Sequence, residues 1–254
     1  MRFSKWHALG NAYLVVEQPD AGQLDAARVH RLCDAETGLG SDGVLEVVRQ
    51  AGSTAEVVIW NPDGSVAEMS GNGVRIAGRW LARRSGTQTV EITSGSRTVT
   101  VRMLGELLAE TDMGEVAVDV EETVDAGERV TLTTASIGNP HAVVRVDGAT
   151  REDLLRLGPR LEAHPRFPHR TNVQLVEPLG PHDLRVLVWE RGVGETQSSG
   201  SSAVAAAAVA IAHGWCESPV TAHLPGGALG VEIVDGHATL VGPAVELSTG
   251  ETDI

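Results

Sequence analysis

The chain has 254 residues, 42% hydrophobic and 21% charged, with 34 acidic against 20 basic side chains and a formal net charge of −14. That length allows one large domain or two of roughly 125 residues, and the composition supports a real core rather than a disordered tract. The acidic balance excludes the basic face a nucleic acid partner needs, whereas a small anionic ligand stays admissible because it answers to local dipoles.

The opening segment, MRFSKWHALGNAYLVVE, has no long apolar run and no small-residue cleavage signal. The longest small-apolar run, Ala203–Ala212, is too short to cross a bilayer. A cytoplasmic protein without a membrane partner is expected. Cys33 and Cys216 are too few for a disulfide framework or a Cys-rich metal site, and nine histidines lack an HExxH-like spacing, so no metal is expected. Both cysteines read as small buried hydrophobes.

Along the chain, Val/Leu/Ile/Thr-rich runs bounded by Gly, Pro, Asn and Asp predict strands. In the first half these are Tyr13–Glu17, Gly43–Arg49, Glu56–Trp60, Thr89–Thr93 and Arg97–Met103, with helices over Asp25–Leu32 and Gly73–Arg83. In the second half, strands Ala142–Val146, Asn172–Val176, Leu184–Trp189, Val231–Ile233 and Ala238–Val241 accompany helices Arg151–Leu161 and Ser202–His213. The last helix is rich in alanine, which gives high helix propensity and a thin profile suited to burial between sheets.

The halves share one pattern. EVVIW leads through Asn61–Ser65 to EMSGNG and a helix; LRVLVW leads through ERGVGETQ to SSGSS and a helix. Strand, glycine-bearing loop, Ser-Gly and helix occur twice, which predicts a duplicated α+β unit. The boundary is expected near Met113–Gly127, giving a first domain over 1–117, completed by the C-terminal tail, and a second over 118–254.

Ser70-Gly71-Asn72-Gly73 and Ser199-Gly200-Ser201-Ser202 each open a helix. A helix start leaves amides without intrahelical partners and carries roughly half a positive charge, so a carboxylate placed there is stabilised. If the two starts face one cleft, amides of Gly71, Asn72, Gly200 and Ser201 would hold the acid group and oppose charge developing on the neighbouring carbon. Ser70 and Ser199 would then flank that carbon. Taken alone, each serine is more often a plain N-cap.

Longer strings carry a likeness that runs nearly end to end. KWHALGNAYLVVE, GLGSDGVL, NPDGSVAEMSGNGVR, IGNPHAVV, GPRLEAHPRFPHRTNVQLVE, ERGVGETQSSGSSA, HLPGGALGVEI and LVGPAVEL resemble, in order, the motifs of the diaminopimelate epimerase family. The resemblance implies an α+β fold of two pseudo-symmetric domains, each a mixed or antiparallel sheet wrapped around a central helix. It implies cofactor-free inversion of the α-carbon of an amino acid such as diaminopimelate, by two cysteines on opposite faces. Ser70 and Ser199 stand where those cysteines would be, and Ala12 and Ser202 stand where the family usually has aspartate and glycine. An alcohol ionises several units above a thiol, and each unit costs about 1.4 kcal/mol in forming the base.

The resemblance also assigns Asn11, Asn61, Asn139, Asn172, Glu190 and Arg191 to substrate binding. Their chemistry suits an amino acid: Arg191 offers a fork to a carboxylate, Glu190 can take an ammonium, and the asparagines donate and accept. His141, two residues past Asn139, is a candidate acid/base. Catalytic candidates are therefore Ser70, Ser199 and His141. A monomer or a homodimer both fit. Other readings are a scaffold moved to elimination, double-bond isomerisation or cyclisation, and a non-catalytic amino-acid-binding homologue.

Overall fold

β1 (Arg2–Ala8) alternates outward and buried positions, as a strand with one wet face must. It turns at Leu9 and Gly10, both with positive φ, into β2 (Asn11–Glu17), which pairs antiparallel with Trp6 opposite Tyr13. Two consecutive positive-φ residues match the right-handed twist of a tight hairpin. The computed structural model describes residues 1–67 and 69–254. They divide into Met1–Asp112 with Gly242–Ile254, and Met113–Val241.

In the first unit, α1 (Gln18–Ala21) and α2 (Ala26–Cys33) follow β2, and the Asp25 side chain caps α2 by accepting from Arg28 N. β3 (Val44–Ala51) runs parallel to β2, and β4 (Thr54–Trp60) antiparallel to β3. β5 (Val66–Ala67) folds back on β4. Next comes α3 (Gly71–Ser85), which ends at Gly86 in the left-handed conformation. β6 (Thr89–Ser94) pairs parallel with β4, and β7 (Arg97–Leu104) and β8 (Leu108–Glu115) add antiparallel. The sheet wraps α3, which packs on β1, β2, β4, β6 and β7. Val74, Ile76, Ala77 and Leu81 of α3 enter the same core as Trp6, Tyr13, Leu45 and Ile59. The helix comes so near β7 that a Cβ on Gly78 would lie 2.6 Å from Val101 Cγ1.

The second unit repeats the wiring. β9 (Ala117–Asp125) pairs with β10 (Arg129–Ser136), which pairs antiparallel with β11 (Pro140–Arg145). α4 (Arg151–Glu162) begins with a reciprocal capping box between Thr150 and Asp153. β12 (Asn172–Gly180) runs parallel to β11, β13 (Asp183–Glu190) antiparallel to β12, and β14 (Gly194–Thr196) folds back on β13. Then comes α5 (Gly200–Ala212), followed by β15 (Val220–Leu224) parallel to β13, and by β16 (Gly227–Val234) and β17 (His237–Pro243). The order parallel, antiparallel, fold-back, helix, parallel is thus common to both units. α5 is buried along Ala203–Ala210, and its small side chains let strands approach from several sides. β18 (Val245–Glu251) joins the first unit, antiparallel to β1.

The predicted strands and helices all appear, with ends shifted by one to a few residues. The acid-rich stretch before Gly127 contains β9, whose residues are mostly exposed, so its acids lie on wet faces while its backbone pairs with β10.

Candidate functional site

Ser70 is the N-cap of α3, with extended backbone, and its Oγ accepts the Gly73 amide at 3.0 Å. The Tyr13 hydroxyl lies 3.2 Å from the same oxygen. Two residues on, within the first turn, the buried Asn72 donates from Nδ2 to Asn11 Oδ1 at 3.2 Å. Its Oδ1 accepts from Arg75 Nη2 at 2.7 Å, and Arg75 also donates to Pro243 O at 3.0 Å and Gly71 O at 3.4 Å. Arg75 is wholly buried, and that burial lowers its pKa to about 10, so it stays charged at neutral pH and holds Asn72 and the first carbonyl of α3 in place. Asn11, Ser70, Gly71 and Asn72 are therefore assembled by direct bonds. Asn61 closes its own turn, its Nδ2 donating to Ser65 Oγ at 2.9 Å. Glu68, in the same motif, lies outside the described residues.

Ser199 heads α5 in nearly the same backbone conformation, but its hydroxyl makes no cap bond. Gly200 and Ser201 are the first two helical residues, whose amides have no partner within the helix. Glu190, the last residue of β13, neighbours Ser199. Burial pushes its carboxyl above the usual range, and the Ser199 hydroxyl works against that rise.

Asn172 ties two loops together: its Nδ2 donates to Pro140 O at 3.0 Å, and its Oδ1 accepts the Arg191 amide at 3.0 Å. The Arg191 residue is exposed, and among the described residues its guanidinium has no carboxylate partner. The loop is fixed from beneath by the buried Glu162, which accepts Trp189 Nε1 at 2.7 Å, the Gly192 amide at 2.8 Å and Arg170 at 3.1 Å. Burial opposes the Glu162 charge, yet those donors together hold its pKa below the usual carboxylate value.

His141 is buried beside this cluster. Its Nδ1 accepts from Gln174 Nε2 at 3.1 Å, and its Nε2 lies 2.9 Å from Asn139 Oδ1, the pattern of a neutral ring protonated on Nε2. Burial lowers its pKa to about 3, and the Arg191 charge adds to it. Gln174 also reaches Ser202 Oγ at 3.0 Å. The ring thus orients Asn139 as a neutral donor.

Tyr13, Arg75, Glu162 and Gln174 were not singled out by the sequence. Tyr13 alone left a signal, as the one tyrosine in an apolar strand. Cys33 and Cys216 are both buried and free, and burial raises both thiols, so neither is a reactive substitute.

The sequence profile of diaminopimelate epimerase matches residues 3–118 and 133–252. A diaminopimelate epimerase of Synechococcus elongatus is 33% identical, covering 100% of this chain and 99% of that protein. One of Pseudomonas aeruginosa is 37% identical, covering 99% and 98%. Among solved structures, a predicted epimerase from P. aeruginosa superposes with a TM-score of 0.78 at 19% identity, over 100% of this chain and 99% of that one. A hydroxyproline epimerase from Agrobacterium vitis gives 0.69 at 15%, over 98% and 90%. With motifs, duplicated topology and full-length likeness in agreement, the chain belongs to the diaminopimelate epimerase family.

Proposed function

We propose that this isomerase moves a proton, without a cofactor, at the carbon beside a carboxylate of an amino acid such as diaminopimelate. Ser70 and Ser199 take the places of the two family cysteines in that reading. The observation that carries it is the repeated serine-headed helix: two units of the same wiring each set a serine hydroxyl and two first-turn amides at one helix start. In each unit the first-turn amides, Gly71 and Asn72 in one and Gly200 and Ser201 in the other, suit a carboxylate and oppose charge that develops beside it as an α-proton leaves.

The other residues sort by their partners. Asn11 and Asn72, locked together by Arg75, supply amide groups on the Ser70 side. Arg191 is the fork for a second carboxylate, and Asn172 sets its backbone. Glu190, whose carboxyl is held high, takes the ammonium or the proton of Ser199. Asn61 and Asn139 complete the binding set, with His141 acting through Asn139 and not as an imidazolium donor.

The test is incubation with LL-diaminopimelate in D2O, following the α-proton by NMR. Deuterium uptake with inversion is the expected result. Uptake without inversion, or a new product, would favour elimination, double-bond isomerisation or cyclisation, which the two serines also fit because one-sided transfer asks less of each hydroxyl. Binding without uptake would leave an amino-acid-binding homologue. Replacing both serines by cysteine should raise the inversion rate by about tenfold or more, since each pKa unit is worth about tenfold. No gain would mean that diaminopimelate is the wrong substrate.

A further inference from the structure

We propose that the phenol of Tyr13 is a proton relay behind Ser70, so that the hydroxyl pair, and not the serine alone, does the work of one acid/base arm. This rests on the epimerase-type reading above and deepens it.

Three observations carry it. The Tyr13 hydroxyl and Ser70 Oγ are 3.2 Å apart, across 57 residues of sequence, and either can be the donor. Ser70 Oγ already accepts the Gly73 amide at 3.0 Å, which leaves it one lone pair and one proton. The ring is also firmly seated. It is buried in the core of the first unit, and Gly43 leaves the space for it, since a Cβ on Gly43 would lie 2.6 Å from Tyr13 Cε1.

A serine hydroxyl is a poor base because its conjugate ion is so costly, whereas a phenol ionises near pH 10, within about two units of a thiol. In the relay no serine alkoxide accumulates. When the arm removes a proton, the substrate C–H bond breaks, its proton joins Ser70 Oγ, and the proton already on Ser70 passes to the Tyr13 phenolate. The electron pair left on carbon spreads into the substrate carboxylate. In reverse, Ser70 protonates the carbon and is refilled from the Tyr13 O–H. Each direction breaks and forms two bonds to hydrogen, with no redox partner. The arm donates when Tyr13 holds its proton and abstracts when it does not, so its capacity to abstract should grow with pH as the phenolate forms.

Tyr13 is the sole tyrosine of the chain, so the tyrosinate absorbance band reports this one group. Its titration is compared with the pH profile of α-proton exchange on diaminopimelate, in wild type and Tyr13→Phe, each in the Ser70 and the Ser70→Cys backgrounds. The wild-type profile should rise with an inflection matching the tyrosine titration. Tyr13→Phe should remove that inflection and slow exchange by about 100-fold or more, within the range of general acid–base effects. With Ser70→Cys the same change should cost less than about threefold, because a thiol near 8.5 needs no phenol behind it. A uniform loss at every pH, or equal losses in both backgrounds, would mean that Tyr13 only packs and would overturn the relay.

Should wild type exchange no proton on any amino acid, the epimerase reading fails, and the titration of Ser70→Ala still decides the link. Loss of a hydroxyl that steadies the phenolate should raise the Tyr13 pKa by about 0.5 or more, as removing a hydrogen bond to a charged form does. An unshifted titration overturns the proposal.

Discussion

Gly43→Ala tests how Tyr13 is held. Gly43 lies outside the positive-φ region, so the penalty is one of space alone. The new Cβ would stand 2.5 Å from the Trp60 carbonyl oxygen, 2.6 Å from Tyr13 Cε1 and 3.0 Å from Cδ1. Carbon atoms pack best at about 3.5–4.0 Å, so the ring would have to retreat by about 1 Å. The Trp60 carbonyl cannot rotate away, because Trp60 is paired with Val44 in the β3–β4 ladder. Overpacking costs roughly 1–3 kcal/mol, and a backbone obstacle places this case at about 2–3. For a chain of this size that lowers Tm by about 4–12 °C.

A retreat of that size also breaks the 3.2 Å contact with Ser70, so the tyrosinate titration should move along with stability. Urea unfolding measures the first effect and absorbance the second. Tyr13→Ala removes the ring clash, so the double-mutant cycle should show coupling of about 0.5–3 kcal/mol. If Gly43→Ala stays within about 0.5 kcal/mol of wild type, the range of an inconsequential surface change, with tyrosine titrating as before, the packing account is wrong.

The two serines should behave differently in unfolding experiments. Ser70→Ala loses a true N-cap bond and should cost about 1 kcal/mol at every pH, whereas Ser199→Ala loses no cap bond but the hydroxyl that holds down the Glu190 pKa, so its cost should shrink in acid. Equal losses at every pH would contradict the difference in capping. For His141, the folded pKa of about 3 lies below the unfolded one. The unfolded chain therefore binds more protons as pH falls, and stability present above about pH 6.5 drops by up to about 1.4 kcal/mol per unit below it. Urea unfolding at pH 7 and 5 should show this loss in wild type and a smaller one in His141→Gln. Glu162 has the opposite charge type and a folded pKa below 4.5. Its contribution is present above the unfolded value and lost as pH falls through the folded one, so Glu162→Gln should destabilise at neutral pH and converge with wild type in acid. Parallel curves would show that the carboxylate charge is not what holds the Trp189–Gly192 loop.

Local sequence determined much of this molecule. Gly, Pro and Asn punctuation with apolar alternation marked ten of the strands, and Ser-Gly steps before apolar periodicity marked both α3 and α5 to within two residues of their starts. The repeated Ser-Gly motif also pointed to duplication, because a helix start and the strand before it are adjacent in sequence. β9 escaped notice because AVDVEETVD offers mostly exposed positions and little alternation. Its identity comes from the register with β10, a property of two segments and not of one.

The same limit applies at the site. That Ser70 and Ser199 head helices is written locally; their side-chain partners are not. Tyr13 beside Ser70, Arg75 beneath Asn72, Gln174 on His141 and Glu162 under the Gly192 loop join residues from separate elements or through burial. Burial then decides charge: His141 reads as a candidate acid/base from its residue type, and in the fold it is an enclosed ring bonded to Asn139, with its pKa lowered by burial. Which groups desolvate one another depends on how strands and helices close over them. Only the tertiary structure determined that, because solvent exclusion has no counterpart in a linear string of residues.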